Sequence, residues 1–169
     1  MNTFSPSVPL IELRPVRESD QPFLLQVYAS TRAEELELTG WDENQKAAFV
    51  AMQFEAQDSY YRQHYPGAQW SVILIDNQPA GRLYLHPREN EIRIMEITLL
   101  PAYRGRGSGS RLLQQVLADG TRSGRSVTIH VERFNPALNL YQRLGFQLLE
   151  DKGVYLFLGW NPEESESIG

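Results

Sequence analysis

The run Leu99-Leu100-Pro101-Ala102-Tyr103-Arg104-Gly105-Arg106-Gly107-Ser108-Gly109-Ser110 joins an apolar segment to an amphipathic one through a turn made mainly of glycine and arginine. Glycine lets the backbone approach a ligand with no Cβ in the way. The free N–H groups of the helix that follows face outward at the positive end of its dipole. The turn is therefore suited to an anion such as a phosphate. A kinase-type phosphate loop needs Gly-Lys-Ser/Thr at the helix start, whereas Gly109 is followed by Ser110 and Arg111. A dinucleotide fingerprint counted from Gly105 puts its third small position on Ser110 and lacks the acid expected about 20 residues further on. Outside the turn, Glu96 sits in an apolar run, His130 and Glu132 share the polar phase of an alternating segment, and Tyr141 follows Asn135-Pro136-Ala137.

Arg104-Gly105-Arg106-Gly107-Ser108-Gly109 fits the pattern Arg/Gln-x-x-Gly-x-Gly/Ala and resembles the pyrophosphate loop of the GNAT acyl-CoA N-acyltransferase superfamily. Phe134-Asn135-Pro136-Ala137-Leu138-Asn139-Leu140-Tyr141-Gln142-Arg143-Leu144-Gly145-Phe146 resembles that family's second signature, Asn-Pro-Ala, then Leu-Tyr, then Leu-Gly-Phe. With the flanking strands, the resemblance covers residues 70–160. It implies an α/β fold: a mixed sheet of six to seven strands, helices on both faces, and a splay between the fourth and fifth strands. It also implies an N-acetyltransferase that moves an acetyl group from acetyl-CoA, as co-substrate, to a primary amine of a small molecule or protein within a ternary complex. A non-catalytic acyl-CoA-binding or sensing module of the same fold is the alternative. Carried over residue by residue, the cofactor-binding set is Leu99, Leu100, Arg104, Gly105, Arg106, Gly107, Ser108, Gly109, Ser110, Asn135, Ala137 and Tyr141, with no metal. No nucleic-acid or membrane partner is implied, and a homodimer is left open.

Attack of an amine on a thioester sets three requirements. An alkylamine of pKa about 10 needs a base or a desolvating site, the developing oxyanion needs a donor, and the departing thiolate needs a proton. In the family the oxyanion donor is largely backbone N–H from the splayed strand, here around Leu99. Tyr141 aligns with the tyrosine that lies beside the CoA sulfur in many members; outside the motif it would read as core. Asn135 serves as an N-cap, as a cofactor ligand, or as both. For the base, Glu96 is a carboxylate that needs a reason to be in an apolar strand, and His130 titrates in the right range. Glu132 shares the face of His130, and a water chain is a further route. The acceptor is set in the family by the loop between the first two helices, here 34–41, and by the last hairpin near 151–153.

A chain of 169 residues buries about two-thirds of its unfolded surface, so one domain over 8–160 is expected, with flexible tails at 1–7 and 161–169. There is no cysteine, which excludes a disulfide framework and a zinc–thiolate site. The net charge of −5 argues against a general nucleic-acid binder. A lone arginine-glycine element between apolar segments is likewise poor support for RNA binding. No segment approaches the roughly 20 apolar residues that span a membrane, and no signal segment opens the chain, so a cytoplasmic protein is expected. Arg104, Arg106, Arg111, Arg122 and Arg125 are expected around the glycine turn and its helix, and Glu34, Glu35, Glu37, Asp42 and Glu43 between the first two helices.

Residues 8–14 read as a strand, and Ser19 as the cap of a first helix carrying Phe23, Leu24, Val27 and Tyr28. Asp42 with Gln45 forms a capping box for a second, with Phe49, Met52, Ala56 and Tyr60 on its apolar face. Residues 70–75 and 81–86 form a hairpin across 76–79. In the next strand Ile92 and Ile94 share one phase of the alternation but Ile97 and Leu99 the other, so a β-bulge is expected near Met95-Glu96. A helix bearing Leu112, Leu113, Val116 and Leu117 ends near Gly120. A strand over 127–131, a helix from Asn135-Pro136 to Gly145, and a hairpin of 146–150 with 154–158 complete the order.

Overall fold

Among residues 8–163, which the computed structural model of the protein describes, seven strands form one mixed sheet in the order β1-β2-β3-β4-β5-β7-β6. The strands are β1 (Ile11–Pro15), β2 (Gln69–Ile75), β3 (Gln78–Pro87), β4 (Glu91–Leu99), β5 (Ser126–Glu132), β6 (Gln147–Asp151) and β7 (Tyr155–Trp160). Only β4 and β5 run parallel, joined by the crossover through α3 (Ser108–Ser123). Leu112, Leu113, Val116 and Leu117 of α3 pack with Ile73, Leu83, Ile92, Ile94, Val127 and Ile129 to form the main core. On the opposite face α1 (Gln21–Glu37) and α2 (Glu43–His64) meet through Leu24, Tyr28, Leu36, Val50 and Phe54. The α/β fold with a mixed sheet that the resemblance implied is the fold observed.

The expected bulge lies where the alternation slips. Glu96 pairs with Tyr84 and Ile94 with Leu85, which leaves Met95 without a partner. By simple alternation Glu96 would follow Ile92 and Ile94 into the main core; the extra residue turns it to the α2 face. The β4–β5 ladder pairs Glu91–Ile94 with Ser126–Ile129 and then stops, although β4 continues to Leu99 and β5 to Glu132. The two strands part at that point, which is the expected splay.

Several boundaries move for identifiable reasons. Asp42 and Gln45 make the capping box, but Ser19 does not cap α1. It lies in a 3₁₀ turn (Glu18–Asp20), because the Asp20 carboxylate takes two bonds of 2.8 Å from Arg14 and one of 2.7 Å from the Arg17 N–H. Helix α1 runs to Glu37, so Glu34, Glu35 and Glu37 are helical rather than in a loop. The buried face of α2 carries Val50 and Phe54, while Met52 and Tyr60 are 60% and 52% exposed. Its inward positions also hold Gln53, Gln57 and Tyr61, whose polar groups are bonded, so hydrophobicity alone misplaces the face. Asp76 and Asn77, both at positive φ, form a two-residue hairpin turn, and β3 starts at Gln78. Gly120 lies inside α3, since a Cβ there would sit 2.8 Å from the Arg125 carbonyl oxygen. The expected tails fall largely outside the described residues.

Candidate functional site

The splay, the glycine turn and the start of α3 meet at the open end of β4. The N–H of Leu100 donates to Ala80 at 2.8 Å, which makes that pair a hydrogen-bonded one. The neighbouring antiparallel pairs Leu99–Gly81 and Ile97–Leu83 are therefore non-bonded pairs whose N–H and C=O groups point away from β3, into the gap beside β5. Leu99 thus presents its N–H there. Leu100, expected as a cofactor contact, has its amide committed to the sheet, while Ile97, which the sequence reading passed over, joins Leu99. Arg104 Nε donates to the Leu99 carbonyl at 2.8 Å, closing the end of the strand.

Next to this edge, Pro101–Tyr103 form a 3₁₀ turn, and Gly105 and Gly107 take positive φ of 74° and 82°. Gly107 is the N-cap residue of α3. A Cβ added at Gly105, Gly107 or Gly109 would meet no atom within 4 Å, so the space over the turn is free for a group approaching the backbone. Ser108 is buried beneath it, and Ser110 is half-buried. These residues fit a pyrophosphate: open backbone, unpaired N–H groups at a helix start, and the exposed Arg106 alongside. The basic cluster is smaller than expected. Arg111 is tied to the Pro9 carbonyl at 2.7 Å, while Arg122 lies in the last turn of α3 and Arg125 just past its end, about 20 Å away at 1.5 Å per residue.

Tyr141, on α4 (Leu138–Arg143), is buried in the main core with its ring edge-on to Phe146 at 5.5 Å. Burial, and then the charge of Glu96, push its phenol up to about 12. Tyr141 belongs to the α3 face and Glu96 to the α2 face, and the Glu96 charge is felt by Tyr141 across β4. Asn135 Oδ1 accepts the Ala137 N–H at 2.8 Å, so both expected cofactor contacts form a turn ahead of an α4 that begins only at Leu138.

Glu96 Oε1 accepts the Tyr61 hydroxyl at 2.6 Å and Gln57 Nε2 at 3.3 Å. Arg82, 2% exposed, donates to Gln57 Oε1 at 3.0 Å and lies 3.7 Å from Glu96 Oε2. Burial and the carboxylate beside it raise the Tyr61 phenol far above its ordinary value. Gln57, Tyr61 and Arg82 were not found from the sequence. The signal for Arg82 was the one used for Glu96, a lone charge in an apolar strand. His130 stands apart from this group: it stacks on Phe157 at 4.5 Å, and Lys152 Nζ lies 3.1 Å from its Nε2. Burial, then Arg93 and Lys152, lower its pKa. On the same strand, Glu132 faces Arg32 of α1. Of the acidic residues on α1, Glu35 pairs with Arg32 and Glu37 with Lys46.

Residues 26–146 match the sequence profile of the acetyltransferase (GNAT) family. No curated protein matches the chain. Among solved structures it resembles the PaiA N-acetyltransferase of Thermoplasma acidophilum in complex with coenzyme A, at 17% identity and a TM-score of 0.69 over 90% of this chain and 99% of that one. An acetyltransferase of Thermus thermophilus aligns at 21% identity and 0.65 over 89% and 96%. One of the GNAT family from Staphylococcus aureus aligns at 16% and 0.63 over 90% and 99%. At these identities the likeness speaks to the fold.

Proposed function

The chain belongs to the GNAT acetyltransferase family, and from that premise we propose that it transfers an acetyl group from acetyl-CoA to a primary amine by direct attack. The observation that carries this is the parting of β4 from β5 after Ile94–Ile129, beside a glycine turn with open space over its backbone. The turn, with Arg106, holds the pyrophosphate, and the thioester lies in the gap. Ile97 and Leu99 N–H groups receive the carbonyl oxygen as charge develops on it. The amine nitrogen bonds to the carbonyl carbon and the carbon–sulfur bond breaks. Glu96 takes the proton the amine loses, and Tyr141 donates to the departing sulfur. Glu96 is preferred to His130 as base because the Nε2 of His130 faces the Lys152 ammonium, whereas Glu96 adjoins the gap and is felt by Tyr141. A phenol at about 12 keeps its proton at neutral pH, which suits a hydrogen-bond donor to sulfur.

The test is incubation with acetyl-CoA and a panel of primary amines, namely alkylamines, amino acids and a peptide with a free N-terminus. Free thiol and acetylated acceptor are both measured. Stoichiometric release of CoA with acetylated amine is expected. Tight acetyl-CoA binding with no acetylated product would overturn the assignment in favour of a binding module, and absence of binding would overturn both.

A further inference from the structure

We propose that Arg82, Gln57 and Tyr61 are positioning residues that hold the Glu96 carboxylate so that Oε2 alone is left to take the amine proton; this rests on Glu96 as the base. The two oxygens are treated unequally. Oε1 accepts both Tyr61 and Gln57, whereas Oε2 has no hydrogen bond among the described residues, its nearest cation there being Arg82 at 3.7 Å, beyond bonding distance. A carboxylate pinned at one oxygen keeps the other aimed, and three elements converge to do this. Gln57 and Tyr61 are four residues apart on α2 and share a face, Arg82 comes from β3, and the bulge at Met95 turns Glu96 toward them. The Gln57 amide is the link: its oxygen accepts a hydrogen bond from Arg82 and its nitrogen donates one to Glu96, which fixes the amide orientation.

Arg82 is the member hardest to explain as packing. Its side chain is buried to 2% exposure, it lies over the Tyr84 ring at 4.9 Å, and its Nε has no hydrogen-bond partner among the described residues. A buried ion pair with an orphaned donor contributes little to stability compared with an apolar residue of similar volume. An opposing charge held beside Glu96 is what the arrangement supplies. Among the described residues, the other charges beside this cluster are Asp58 of α2, which is felt by Tyr84, and Arg62, which pairs with Asp58 and lies over Trp70; the Glu96 charge is felt by the neutral Tyr141 of α4.

Steady-state kinetics on Glu96→Gln, Tyr61→Phe, Arg82→Lys and the two double variants with Glu96→Gln, with the fastest amine of the panel as acceptor, test this. Tyr61→Phe keeps the ring against Trp70 and Tyr84 and removes only the donor to Oε1. Glu96→Gln is expected to lower kcat by about 10²–10⁴-fold, the range of general base catalysis. Tyr61→Phe and Arg82→Lys are expected to lower kcat by roughly 10-fold or more, with KM for acetyl-CoA and melting temperature little changed, and to have no further effect in the Glu96→Gln background. If Glu96→Gln lowers kcat but Tyr61→Phe does not, or if its effect adds in full to that of Glu96→Gln, the positioning proposal is overturned and the base assignment stands. If Glu96→Gln leaves kcat unchanged, the base assignment fails and the proposal with it. Should Arg82→Lys not fold, Tyr61→Phe alone still decides.

Discussion

Replacing Gly107 by alanine separates the proposed ligand-binding role of the turn from its conformational one. Gly107 sits at φ 82° as the N-cap residue of α3, and a Cβ there meets no protein atom within 4 Å. The whole effect on folding is then the left-handed backbone strain of a non-glycine residue, about 1–2 kcal/mol. For a chain of this size that corresponds to a fall in melting temperature of about 2–8 °C. The effect on binding has a different source, because the added carbon occupies the space a phosphate oxygen must enter. Losing one hydrogen bond to a charged group is worth about 1.5–3 kcal/mol, so the Kd for acetyl-CoA should rise about 10- to 150-fold. Gly109→Ala is the control. Gly109 is helical with no positive φ, its Cβ also meets open space, and the motif admits alanine there. It should stabilise the protein by up to about 1 kcal/mol and leave Kd nearly unchanged. Isothermal titration calorimetry well below the melting temperature reads affinity, and differential scanning calorimetry reads stability. A folded Gly107→Ala protein that binds acetyl-CoA as tightly as the parent would refute the assignment of the turn to the pyrophosphate.

Tyr141→Phe keeps the edge-on packing against Phe146, so stability and KM for acetyl-CoA should hold while kcat falls toward the lower end of the roughly 10²–10⁴-fold range, since a sulfur leaving group departs tolerably well unaided. An unchanged kcat with chemistry rate-limiting would assign the ring to packing alone. Ahead of α1, the bonds from Arg14 hold the buried Asp20 carboxyl at about 2, below its ordinary 3.8. Because the folded value is depressed, the stabilisation is complete above about pH 4 to 5 and is lost as pH falls through about 2. Asp20→Asn should therefore lower stability near neutral pH by about 1.5–3 kcal/mol, with the difference from the parent shrinking as pH drops below 4 in urea titrations. A difference constant from pH 7 to pH 2 would exclude the ion pair as its origin.

Local patterns in the chain were enough to specify the turn, the capping box and the bulge. The glycines of 105–109 are legible because their role is a backbone conformation and an open approach, both set within a few residues. Asp42 and Gln45 satisfy each other across one helical turn, and the phase slip between Ile94 and Ile97 records Met95 directly. The surroundings of each chemical group were settled only when distant segments met. Glu96 acquires its donors from residues 35 and 39 positions earlier and its cation from another strand, and no spacing within β4 announces them. The inward face of α2 was misplaced because Gln53, Gln57 and Tyr61 are half-buried and held there by hydrogen bonds rather than by hydrophobicity. His130 shares its polar alternation with Thr128, but pairing with β7 puts it between Phe157 and Lys152 instead of beside Glu96. Leu99 and Leu100 look alike in sequence; the pairing with β3 turns one amide into the gap and commits the other to Ala80. Periodicity of two tells which face a side chain takes, but only the neighbouring strand decides which edge an N–H group serves.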